Sequence, residues 1–99
     1  MAETYPINIW INEQRYEKLN EVGLADMTKD VLAGMKVLQL QCGKEQKDKI
    51  LKLYPTAKFD AATTKSIELL PPEVKDKMFD LVIERKNLNV IEEFLKINY

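Results

Sequence analysis

The residues able to do covalent or acid–base chemistry are few in kind. The 99-residue chain has no histidine and a single cysteine, Cys42. That removes Cys–His and Ser–His nucleophile pairs, an imidazole general base, and the common zinc sites. The three glycines, Gly23, Gly34 and Gly43, are scattered, so no phosphate-cradling loop is visible. Asp and Glu number 16, but their spacing singles out no pair, and such side chains most often make a solvated face. The sequence predicts no enzyme, no metal site and no cofactor. Cys42 reads as the small packed thiol of a cytoplasmic protein.

What remains is binding chemistry, carried by amides, one tryptophan and lysines. The stretch from Tyr5 to Val22 places these side chains first. Ile7, Ile9 and Ile11 alternate with Asn8, Trp10 and Asn12, the period of a strand with one apolar face. Tyr16, Leu19 and Val22 then repeat at steps of three, as on one face of a helix. A strand therefore runs straight into a helix, with Asn12 as its N-cap and Gly23 at its left-handed C-terminal stop.

Everything after Gly23 reads as helix. A second helix is predicted over about 27–41, with Met27, Val31, Leu32, Met35 and Leu38 apolar and Gly34 in its middle. A lysine-rich helix follows Gly43 and stops before Pro55. The "PTAKF" piece is a loop or a very short extended segment. A further helix is expected from Asp60 or Thr63 to Leu70. Another starts at Pro72, a residue suited to a first turn, with Val74, Met78, Leu81 and Val82 inward. The last spans about 89–97, opened by Asn89 and Glu92 in the manner of a capping box. The expected fold class is mainly α: one N-terminal strand and about six helices. The expected division is a strand with two helices at 1–42 and a helical module at 43–99, or one compact domain.

Charge is balanced, with 15 basic and 16 acidic residues and a net of −1, which counts against a nucleic-acid binder. The basic excess lies in 44–58, where Lys44, Lys47 and Lys52 share a helix. No apolar run approaches membrane-spanning length, and the first ten residues carry no basic and apolar leader pattern. The expected location is the cytoplasm, with no membrane contact.

A lone strand leaves unpaired backbone groups along both edges. The economical partner is the same strand of a second chain, giving a two-stranded ribbon. Ile7, Ile9 and Ile11 then enter a shared core, and Asn8 and Trp10, with Asn12 after them, lie on the exposed side. Such a ribbon fits the major groove of DNA.

The order strand, helix, turn, helix in "INIWINEQRYEKLNEVG" and "DMTKDVLAGMKVLQL" resembles the ribbon-helix-helix DNA-binding proteins, the class of the Arc and MetJ repressors. The resemblance covers about residues 5–41. It implies an obligate dimer whose interface holds Ile7, Ile9, Ile11, Val31, Gly34 and Met35. It implies Asn8 and Trp10 facing the groove and Thr28 and Lys29 at a phosphate, while Lys44, Lys47 and Lys52 add only non-specific attraction. The expectation is a small repressor or partition adaptor with a helical assembly module. The alternative is a protein-interaction module, such as an inhibitor, adaptor or structural subunit, that uses its C-terminal helices and binds no DNA. In that reading Trp10 is a packing residue and the lysines are a solvated helix face.

Overall fold

A computed structural model describes residues 4–32, 34–59 and 68–98, apart from the side chains at 31, 32, 59, 68 and 69. The strand and first helix stand where the periodicity puts them. Strand β1 is Tyr5–Ile11 and helix α1 is Glu13–Glu21. The Asn12 side chain accepts from the Arg15 backbone N–H at 2.8 Å, and Gly23 takes φ +78° after the helix. A 3-10 turn at Ala25–Met27 follows.

The second helix does not exist. Residues 27–41 instead supply strands β2 (Lys29–Leu32) and β3 (Met35–Cys42). Gly34, at φ +84°, stands in the connection between them, a backbone conformation that costs an L-residue energy and glycine little. β3 runs antiparallel to both neighbours, giving the order β1-β3-β2. β1 and β2 are therefore parallel to each other, with β3 inserted between them, a split β-α-β arrangement.

This pairing overturns the mainly-α fold class and the ribbon-helix-helix dimer built on it. The fold is mixed, with four α-helices and a three-stranded antiparallel sheet among the described residues. The physical reason lies in β3. Ile7 pairs with Leu40, and Ile9 with Leu38, so β1 finds its backbone partner within its own chain. Met, Leu, Lys and Gln are good helix formers, but long-range pairing outweighs that local preference.

The later elements keep closer to expectation. Helix α2 is Lys44–Leu53, α3 is Pro72–Arg85 and α4 is Ile91–Asn98. Gln46 Oε1 accepts the Gly43 N–H at 2.9 Å at the start of α2. Pro72 opens α3 as expected. Ahead of α4, Asn87 Oδ1 accepts the Asn89 N–H at 3.0 Å. Of the helix expected up to Leu70, residues 60–67 lie outside the described residues. Glu68–Leu69 form strand β5, which pairs with β4 (Lys58–Phe59) and approaches β1.

One hydrophobic core joins both halves of the chain. Ile7, Ile9, Leu38, Leu40 and Cys42 on one face of the sheet meet Leu19, Ile50, Met78, Val82 and Phe94 of the helices. Ile7, Ile9 and Ile11 are thus covered by their own chain's helices, and are not the core of a ribbon.

Candidate functional site: the outer face of the sheet

The sheet has a second face, and its residues follow from the same alternation. Trp10 pairs with Val37, and Asn8 with Gln39. Val37 also pairs with Lys29 on β2, so Trp10, Val37 and Lys29 form one row across three strands. Val37 is only 5% exposed, yet it stands outside the core that the helices share. Trp10 is 51% and Met35 48% exposed, the latter on the same side of β3. Toward the start of β1 the outer-face residue Pro6 is buried, so the open area lies between Asn8 and Trp10.

The polar side chains here are already bonded to one another. Gln39 Nε2 donates to Asn8 Oδ1 at 3.0 Å, and Gln41 Nε2 donates to Gln39 Oε1 at 3.0 Å. Lys29 Nζ donates to the same Gln39 oxygen at 3.3 Å. Among the described side chains of these strands, Lys29 is the one charge on this face, in a chain that is 31% charged. An apolar strip of Trp10, Val37 and Met35 lies beside an amide network.

The other expected contact residues do not join this face. Asn12 caps α1. The Thr28 hydroxyl donates to the Ala25 carbonyl at 2.9 Å and stands before a strand, not at a helix N-terminus. Lys44 and Lys52 are exposed on α2, and Lys47 Nζ lies 4.4 Å from the centroid of the Tyr5 ring, on the helix side of the sheet. Gly34 is in the β2–β3 connection, and Val31 has no described side chain. Only Asn8, Trp10, Lys29 and Met35 come together. Val37, Gln39 and Gln41 were missed because their stretch read as helix; their alternation with Leu38, Leu40 and Cys42 was the available signal.

Elsewhere the chemistry is sparse. Among the described residues, no polar or charged side chain is fully buried, and no group of three His, Cys, Asp or Glu could hold a metal ion. The Cys42 thiol is buried, and burial pushes its pKa up to about 12, with Lys47 pulling weakly the other way. A thiol so protonated is a poor nucleophile. A cleft of about 300 Å³ opens between Ile11, Glu13, Glu17 and the β2–β3 connection. Lys36 already reaches into it, 5.1 Å from the Tyr16 ring centroid and 3.5 Å from the Asp30 carboxylate. Arg15 ties the elements around the site together. It donates to the Trp10 carbonyl at 2.8 Å, pairs with Asp76 on α3, and lies 5.2 Å from the Phe79 ring centroid. No described helix is long and apolar enough to cross a membrane.

Residues 5–95 match the model of a family described as a family of unknown function, DUF6955, and the chain belongs to that family. Neither the curated proteins nor the solved structures yield a match.

Proposed function

We propose that this member of DUF6955 is a protein-interaction module that binds its partner through the outer face of its sheet. One observation carries the reading: in a heavily charged chain, the described side chains of this face set exposed Trp10 and Met35 beside Val37 with a single charge, Lys29. Interface cores are depleted in charge and enriched in Trp and Met, and Trp is among the side chains enriched at binding hot spots. The bonded amides of Asn8, Gln39 and Gln41 support it too. Their mutual bonds hold the three amides in fixed orientations, ready to pair with polar groups of a partner.

This is the interaction reading of the sequence, moved from the C-terminal helices to the sheet. The DNA reading drew on a ribbon between two chains, and β1 pairs with β3 instead. A face with one cation offers little to a phosphate backbone, whose binding rests on several Lys or Arg contacts. A single aromatic also gives little stacking surface for single strands.

The test is site-specific photo-crosslinking in cells. A crosslinking side chain at Gln41, on the outer face, should yield one defined protein adduct. The same group at Glu84, on exposed α3 surface, should not. Trp10→Ala should abolish the Gln41 adduct. Equal adducts from both positions, or none from Gln41, would rule out the face as the binding site.

A further inference from the structure

Resting on the interaction reading above, we infer that Arg15 is the positioning residue of the Trp10 anchor. It fixes the end of β1 against α1 and α3, so that the indole stands ready before the partner arrives.

The place of Trp10 in the sheet calls for such a hold. β1 is an outer strand of the three-stranded sheet, paired with β3 along one side, and Trp10 is its last residue but one. Burial in the core holds Ile9 and Ile11, but Trp10 is half exposed. Segments with few buried contacts open locally at little cost.

Arg15 supplies the hold from three directions. One guanidinium nitrogen donates to the Trp10 carbonyl at 2.8 Å. That bond fixes the peptide plane between Trp10 and Ile11, and the pleat of a strand sets where its side chains point. The other terminal nitrogen pairs with Asp76 on α3, and the guanidinium carbon lies 5.2 Å from the centroid of the Phe79 ring. Phe79 is a core residue, so the guanidinium rests against a fixed wall.

The corner between β1 and α1 closes a ring. The Arg15 backbone N–H donates to the Asn12 side chain at 2.8 Å, and the Tyr16 N–H donates to the Asn12 carbonyl at 2.9 Å. Residues 10–15 are therefore joined twice, once along the chain and once through the Arg15 side chain. The residue type matters here. A guanidinium is planar, presents its donors in a rigid fork and stacks on aromatic faces, whereas an ammonium is a compact point charge. Arginine holds the carbonyl, the carboxylate and the ring together, and lysine would hold only part of that set. An anchor held in place has less freedom to lose on binding, which is worth roughly two- to tenfold in affinity for one side chain.

Trp10 is the only tryptophan of the chain, so time-resolved fluorescence anisotropy of the full chain reads its motion alone, on the nanosecond scale. The variants are Arg15→Met, Arg15→Lys and, as control, Leu81→Val, which thins the core on α3 and leaves Arg15 in place. Each is measured well below its urea midpoint, and the Gln41 adduct in cells is measured as a fraction of the chain present. Arg15→Met should enlarge the fast local motion of Trp10 and lower the adduct roughly two- to tenfold. Arg15→Lys should fall between Arg15→Met and wild type, and it carries the test should Arg15→Met fail to fold. Leu81→Val should match wild type in both readings although its midpoint falls. Trp10 motion unchanged in the Arg15 variants, or enlarged as much in Leu81→Val, overturns the inference, as does enlarged motion with a wild-type adduct. If wild type itself gives no Gln41 adduct while Arg15→Met frees Trp10, the interaction reading fails and the hold of Arg15 on Trp10 stands without it.

Discussion

Gly34 separates a strand connection from a helix by the sign of one substitution. At φ +84° it meets nothing within 4 Å of where a Cβ would sit, so an alanine there costs backbone energy alone. Holding an L-residue in left-handed geometry costs about 1–2 kcal/mol. The reduced freedom of the unfolded chain returns about 0.4–1 kcal/mol. Gly34→Ala should therefore destabilise by roughly 0.5–1.5 kcal/mol. In a helix interior the same change would stabilise by about 1 kcal/mol. The assay is urea denaturation followed by circular dichroism. With a slope of about 1.5 kcal/mol per molar, typical of a small domain, the midpoint should fall by roughly 0.3–1 M. Gly34→Asn should cost less than Gly34→Ala, because Asn tolerates left-handed geometry. A midpoint that rises in Gly34→Ala would refute the β2–β3 hairpin and return residues 27–41 to a helix.

The packing around the sheet carries three further expectations. Arg15→Met should destabilise by about 2–3 kcal/mol, since it removes a charged donor from the Trp10 carbonyl as well as the exposed pair with Asp76; Asp76→Asn should cost under about 1 kcal/mol, and equal losses in urea titrations would show that the carbonyl bond contributes nothing. Cys42 should resist thiol reagents at pH 8 until the chain is unfolded, so fast labelling of the folded protein would contradict its burial. Its folded pKa lies above the unfolded value of 9.0; the stability it contributes is therefore complete below about pH 9 and lost as pH rises toward 12. Wild type should lose stability relative to Cys42→Ala over that window, by up to about 1.4 kcal/mol per pH unit, and parallel pH profiles would show that the thiol is not desolvated.

Local signals were enough for much of the chain. Alternating isoleucines marked β1, Asn12 and Gly23 bracketed α1, and Pro72 with Val74, Met78, Leu81 and Val82 marked α3. They failed at 27–41 for an identifiable reason. Val31, Leu32, Met35 and Leu38 satisfy a helical face, while Leu38, Leu40 and Cys42 satisfy a strand face. Residue preferences favoured the helix, and the deciding term, pairing of β3 with β1, joins positions some thirty residues apart. Gly34 was the local clue, read as a glycine in the middle of a helix rather than in a turn. The same misreading hid half of the candidate site. Asn8 and Trp10 were legible as an exposed strand face, because alternation fixes sides whatever the partner strand. Lys29 was chosen for a helix terminus that does not exist, and it reaches the face through its pairing with Val37. Gln39 and Gln41 were marked by their alternation with Leu38, Leu40 and Cys42 alone, a signal outweighed by the helical reading of 27–41.

The most direct test of the outer face as the interaction surface is a photo-crosslinking scan in cells, with the crosslinking side chain placed in turn at Asn8, Trp10, Gln39 and Gln41 on the outer face and at Glu84 and Lys96 on exposed helix surface. Outer-face positions should give one common protein adduct and the helix positions none. Adducts confined to the α3–α4 positions, with the outer face unreactive, would contradict the assignment of this sheet face as the place where the protein meets its partner.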